Sequence, residues 1–189
     1  MPLRYAGQWE AIHWAVWKIE ETEEELWRSA SLDLSERRTI QAIRHPRRRL
    51  ESLAARAARR TLPSQEGFSL SHSFPWAAAA TAPHPVGIDI ERLRPFPLSV
   101  WLYFTEESER QDAINENLTH WHFWCAKELS YKILCQKYDK ISFRKELRVR
   151  GEVVEFLRGS QQHLIRVHFV STEEWLLGIG RPVEESFVG

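Results

Sequence analysis

The segment Pro85-Val-Gly-Ile-Asp-Ile-Glu91 constrains the fold more than any other stretch of this chain. Val86, Ile88 and Ile90 alternate with Gly87, Asp89 and Glu91, the period of a β-strand with one wholly apolar face. Three branched aliphatics on one side require a core there. The other side carries two carboxylates about 7 Å apart, preceded by a residue without a side chain. Two unpaired carboxylates at that spacing repel, and partial burial would raise their pKa values. Three arrangements would relieve this: a solvent-facing edge strand, arginines brought from elsewhere, or a hard divalent cation such as Mg2+, which takes oxygen ligands.

At 189 residues the chain is long enough for a sizeable core, as one large domain or two small intimate halves. Lys plus Arg and Asp plus Glu both number 26, so no global field favours nucleic acid or a membrane. Locally the charge is uneven, with nine arginines and one acid, Glu51, from Arg37 to Arg60, and five glutamates from Glu20 to Glu25. Nine tryptophans are expected in core or half-buried positions, because they do not interleave with the arginines as a base-stacking platform would require. Cys125 and Cys135 lack metal-type spacing and are read as buried thiols of a reducing compartment. Without a secretory pattern or an apolar stretch of about eighteen residues, a cytoplasmic protein with no membrane span is expected.

Alternation predicts a strand over 11–19, and the glutamate run then opens a helix. Ser35 is expected to cap a short helix with Glu36 in its first turn, and His45-Pro46 to interrupt it. A longer helix follows with Leu50, Leu53, Ala54 and Ala57 on its apolar face, and Arg49, Arg56 and Arg60 on a flank. The strand-like runs FSLSHSF and WAAAATA precede the Val86–Ile90 strand. Thr105 is expected to cap the next helix, a strong helix to span about 119–138, and three or four strands to fill 141–179 with turns at Gly151 and Gly159. A faint echo between the two halves predicts a duplicated α+β fold: two similar halves, 1–84 and 85–189, related by a pseudo-twofold axis, each a helix packed on a small antiparallel sheet.

Three further groups carry candidate chemistry. On a helix, Trp124, Glu128 and Lys132 form one stripe, with Lys127 beside it. Glu128 and Lys132 suit an ordinary i,i+4 surface pair. Were Glu128 to approach Asp89 and Glu91, three carboxylates and a lysine would instead make a metal and phosphate site. In Ser69-Leu-Ser-His-Ser73, hydroxyls and the His72 imidazole are possible phosphate donors, or simply a strand end. Arg47, Arg48, Arg49 and Arg56 supply guanidinium forks suited to a phosphate monoester, or a solvated basic face. A nucleic-acid role for this run is the rival reading, and no recognition motif accompanies it.

The order of these groups, "RRLESLAAR", "SLSHS", "VGIDIE" and "WCAKELSYK", resembles the 4'-phosphopantetheinyl transferase superfamily in its single-chain, two-half form, from about Ser35 to Lys132. The resemblance implies Mg2+-dependent transfer of the phosphopantetheine arm of coenzyme A to a serine of an apo acyl or peptidyl carrier protein, releasing adenosine 3',5'-bisphosphate. A weak or inactive member that binds coenzyme A or a carrier protein is the alternative. The resemblance implies that Asp89, Glu91 and Glu128 hold the metal, and that Asp89, Glu128 and Lys132 form the catalytic set. Glu128 would serve as base, and Lys132 would steady the departing bisphosphate. Ser71, His72, Lys132, Arg56 and Arg47 or Arg48 would contact coenzyme A phosphates, while Trp124 and Lys127 support the site. A monomer that binds no nucleic acid is expected. Relatives carry a Gly-Lys-Pro loop before the Ser-x-Ser-His-Ser strand; this chain has a shorter segment without it, so Arg59 or Arg60 substitutes or coenzyme A affinity is reduced.

Overall fold

The computed structural model describes residues 3–116 and 118–183. The first half of the chain supplies β1 (Leu3–Trp9), β2 (Ile12–Lys18), α1 (Glu23–Ala30), α2 (Leu34–Gln41), α3 (Pro46–Arg60), β3 (Gly67–Ser73) and β4 (Trp76–Ala82). The rest supplies β5 (Gly87–Arg92), α4 (Leu98–Phe104), α5 (Glu107–Asn115), α6 (His120–Leu134), β6 (Leu147–Arg150), β7 (Val153–Arg158), β8 (Gln161–Ser171) and β9 (Trp175–Pro182). The fold is α+β, with two antiparallel sheets of order β1-β2-β4-β3 and β5-β9-β8-β7-β6. Their connectivity repeats. In each half a strand is followed by three helices and the last strand inserts beside it, β4 beside β2 and β9 beside β5, while the first half adds β1 and the second adds the β6–β7 pair. Among the described residues no helix is long and apolar enough to cross a membrane.

The sequence WAAAATA is buried from end to end because β4 has a layer on each side. Ala77 and Ala79 join the cluster under α3 with Leu53, Ala54 and Ala57. Trp76, Ala78, Ala80 and Ala82 face the second sheet, where they meet Ile88, Ile90, Trp175, Leu177 and Ile179. Small side chains let both layers approach the strand. Ile88 and Ile90 are fully buried, each worth about 1.5–3 kcal/mol of apolar transfer.

Helix starts differ in detail from the sequence reading. Asp33, not Ser35, caps α2, its carboxylate accepting from Glu36 N–H in a reciprocal capping box. Thr105 closes α4 instead, donating its hydroxyl to Trp101 O, and Glu106 begins α5. His45 caps α3 with Pro46 in its first turn, so the chain breaks there between α2 and α3, the interruption expected of His45-Pro46. Helix α4 escaped the pattern because Leu98, Leu102 and Tyr103 face solvent, which blurs any amphipathic period. Gly151 and Gly159 adopt φ of 56° and 60°, the left-handed turns expected of them.

Candidate functional site

Strand β5 has the two faces its alternation demands. Ile88 and Ile90 enter the core between the sheets, while Gly87 lies beneath α6. A Cβ on Gly87 would stand 2.3 Å from Leu129 O, and one on Gly180 2.4 Å from the Leu129 side chain. The bare backbone at these positions lets α6 settle on β5 and β9. That contact carries Lys132 to Asp89, with Nζ 2.9 Å from Asp89 Oδ1 and 2.8 Å from Ile88 O.

Strands β3 and β5 are each the outer strand of a sheet, and they run side by side. Exposed strand edges invite wrong pairing. Here the period-2 serines join them: Ile88, Ile90 and Arg92 N–H donate to Ser69, Ser71 and Ser73 Oγ at 3.1, 3.2 and 3.1 Å. Two of these hydroxyls then donate onward. Ser71 Oγ lies 2.8 Å from Asp89 Oδ1, and Ser73 Oγ lies 2.8 Å from Glu91 Oε2. Trp124 Nε1 donates to Glu91 Oε1 at 3.0 Å. Ser71 is therefore buried behind Asp89, its hydroxyl already engaged, rather than open to a ligand.

Burial pushes Glu91 up to about 7, with the Asp89 charge adding to the rise and Ser73 and Trp124 opposing it. Glu128 is raised by burial and then by Asp89, against the pull of Lys132. The buried Cys125 thiol is pushed well up by desolvation and by the Asp89 and Glu91 charges; Cys135, by contrast, is exposed rather than buried. Burial also lowers His72. In the metal-free protein Glu91 should therefore contribute stability that is lost as pH rises from about 4.5 toward 7, against opposite contributions from His72 and His122, whose proton affinities burial lowers. In that window native Glu91 keeps a proton that the unfolded chain has released, so the slope of its contribution with pH is negative. Glu128 contributes with the same sign. Melting temperatures across the window check this: the wild type should fall relative to Glu91→Gln as pH rises, and a difference that does not change with pH would contradict it.

Among the described residues no three His, Cys, Asp or Glu side chains form a ready-made metal cluster. Mg2+ commonly takes one or two carboxylates and completes its shell with water and substrate phosphate, so a full protein cage is not required. Asp89 Oδ2 is buried without a hydrogen-bond partner among protein groups. With Glu91 and Glu128 as its electrostatic neighbours, it is a hard-oxygen donor set of the kind Mg2+ accepts.

A cavity of about 330 Å³ opens beside Glu91, and its walls include Arg47, Arg48, Glu51, His72, Phe74 and Arg94. Arg48 Nη1 is 3.2 Å from His72 Nδ1. The structure thus brings the N-terminal end of α3, the end of β3 and the acidic end of β5 to one place. Arg56 belongs elsewhere. Nine residues from Arg47 is two and a half helical turns, which puts it on the opposite side of α3 and about 13 Å along it. There it faces Glu36, with Arg59 and Arg60. Neither Arg59 nor Arg60 is among the described residues lining the cavity, so neither replaces the missing loop at that wall. Three acids, Glu23, Glu36 and Glu51, engage six of the nine arginines, so the run is paired rather than a bare cationic face.

Sequence reasoning missed two wall residues. Arg94 carried no signal, but Glu51 did. It is the lone acid in the arginine run, four residues after Arg47 and three after Arg48, a spacing that places them together on a helix. Lys127 is fully buried, donating to Glu109 Oε2, Phe104 O and Phe143 O, and so anchors α6.

Clustered, desolvated carboxylates beside a cavity walled by arginines and a histidine make an arrangement chemically suited to an anionic, phosphate-bearing ligand. No protein-family model matches the chain. It is similar to the 4'-phosphopantetheinyl transferase psf-1 of Bacillus pumilus, 33% identical over 100 residues, covering 49% of this chain and 42% of that protein. It is also similar to the 4'-phosphopantetheinyl transferase ffp of Bacillus subtilis, 32% identical over 66 residues, covering 32% of this chain and 30% of that protein. The matches span less than half the length of these curated relatives. Both similar proteins are named as 4'-phosphopantetheinyl transferases, the superfamily that the order of motifs in this chain resembles.

Proposed function

We propose that the protein transfers the 4'-phosphopantetheine arm of coenzyme A to a serine of an apo acyl or peptidyl carrier protein, releasing adenosine 3',5'-bisphosphate, as a Mg2+-dependent cytoplasmic monomer. The observation that carries this reading is Asp89. Its carboxylate is gripped on one oxygen by Ser71 and Lys132, leaves the other buried and unpartnered, and adjoins the arginine-walled cavity through Glu91. The names of the two similar proteins support the reaction class. The repeated connectivity, with each sheet built on one side of residues 84/85, supports the two-half organisation.

In this reading the Arg47, Arg48 and His72 wall binds coenzyme A phosphates, and Asp89, Glu91 and Glu128 are the residues that would hold the cation. Bound Mg2+ would supply charge neutralisation at the phosphate oxygens. Glu128, with its raised proton affinity, accepts the proton of the carrier serine as that oxygen forms its bond to the pantetheine phosphorus. The bond from that phosphorus to the bridging pyrophosphate oxygen breaks. The departing bisphosphate takes up the negative charge, which Lys132 steadies. Ser73 and Trp124 hold the Glu91 carboxylate in place.

The test is to incubate the protein with coenzyme A, Mg2+ and a panel of apo carrier proteins and weigh the carriers by intact mass spectrometry. One or more should gain the arm on serine, and a chelator should stop the gain. No addition across a broad panel would overturn the reading. The shortened segment before β3 favours a second reading, a binder without turnover, for which coenzyme A would bind calorimetrically while no carrier gained mass.

A further inference from the structure

Glu51 is a buried carboxylate that the reaction, as derived above, does not use. It is 4% exposed on a helix whose neighbouring Arg47 and Arg48 side chains are 57% and 63% exposed. Its Oε1 accepts from Phe74 N–H at 3.2 Å and lies 3.4 Å from Arg47 Nε. Its Oε2 lies 3.6 Å from Arg48 Nη1 and 3.5 Å from His72 Nδ1. Arg47 is further fixed by Phe74, whose ring it overlies at 4.6 Å. One acid therefore backs Arg47 and Arg48 directly and His72 through Arg48, whose Nη1 meets His72 Nδ1, and all four line the same cavity.

Burying a carboxylate is unfavourable unless several groups compensate it. Two of the three donors that compensate Glu51, Arg47 and Arg48, are the cavity's own phosphate donors; only Phe74 N–H belongs to the framework. Without Glu51, the two guanidiniums would repel each other, and their long side chains would sample many rotamers. With it, each arginine spends one edge on the acid and keeps N–H groups for a ligand. Arg48 has no acceptor, so its contact makes His72 Nδ1 the acceptor and leaves Nε2–H as the donor.

We propose that Glu51 is a positioning residue that pre-organises Arg47, Arg48 and His72 to select a donor bearing a terminal phosphate monoester, the 3'-phosphate of coenzyme A. The inference rests on the transferase reading, and it adds that this wall sets the preference for coenzyme A over 3'-dephospho-coenzyme A. Glu51→Gln keeps an acceptor for Phe74 N–H and removes the charge and the second acceptor, which faces Arg48. Glu51→Asp keeps the charge and shortens its reach.

The experiment measures kcat, KM and melting temperature for wild type and both variants with each donor. For Glu51→Gln, KM for coenzyme A should rise about tenfold with kcat nearly unchanged. KM for the dephospho donor should stay within about twofold, so the wild-type preference shrinks, and Glu51→Asp should restore part of it. If Glu51→Gln does not fold, the same ratio is read on Glu51→Asp, where an intermediate preference supports the proposal. Equal losses on both donors, or an unchanged preference, would overturn it by making Glu51 a structural support. A wild type that uses neither donor overturns the transferase reading itself, and this proposal with it. A wild type without preference between the donors overturns the proposal alone.

Discussion

Glu128→Gln is expected to cut transfer about 100-fold or more while raising the melting temperature of the metal-free protein. The two effects share one cause. Burial and the neighbouring Asp89 charge both disfavour ionised Glu128, and Lys132 only partly offsets them. Glutamine preserves the shape and removes the like charge, so each kcal/mol of relieved cost should add about 2–4 °C in a chain of this size. It also removes the base. Asp89 behaves differently, because Ser71 and Lys132 both bind its Oδ1. Asp89→Asn should also lose transfer, but with a lower melting temperature, since the amide oxygen can still accept from Ser71 and Lys132 while the negative charge that holds the Lys132 ammonium is lost. Intact-mass assays and calorimetry on the two variants separate these cases. Unchanged transfer in Glu128→Gln would remove Glu128 from the mechanism, and a fall in its melting temperature would show that no like-charge strain acts there.

Much of this frame is legible in the residues, and what is not has identifiable physical causes. The alternation of Val86–Glu91 gives both faces of β5, because a strand's period is local and needs no knowledge of partners. The i,i+4 stripe of Glu128 and Lys132 is likewise local. Ser71 could not be read so. Its serine spacing fits a ligand-binding strand and a zipper between two edge strands equally well, and only the tertiary meeting of β3 with β5 decides between them. Arg56 was misplaced because an arginine-rich helix offers several registers, and Glu36, twenty residues away in sequence, captures that flank. Glu51 was readable from spacing alone, but its value becomes visible only with His72 and Phe74 folded against it.

Lys127→Met should cost about 3–5 kcal/mol, a large share of the roughly 5–15 kcal/mol that holds a domain folded. Lys127 is fully buried, its ammonium 2.8 Å from Glu109 Oε2, 2.9 Å from Phe104 O and 2.8 Å from Phe143 O. Burial draws its proton affinity down, and Glu109 opposes that. Removing the lysine alone leaves Glu109 buried and charged, with only the N–H groups of Val149 and Glu106 to stabilise it. Adding Glu109→Gln removes that stranded charge while keeping an acceptor for one of those two donors. The double variant should therefore recover more than half of the loss, because a neutral replacement of a buried ion pair is often tolerated. Transfer activity provides the sharper discrimination. Lys127 sits between Trp124 and Glu128 in the motif, yet its ammonium points away from Asp89 into the layer formed by α4, α5 and the segment before β6. At a temperature where the double variant is folded, transfer should stay within a few-fold of wild type. A recovered fold with transfer still lost would mean that Lys127 touches the reaction, and the division of this helix into an anchoring lysine and a reacting Glu128–Lys132 pair would have to be redrawn.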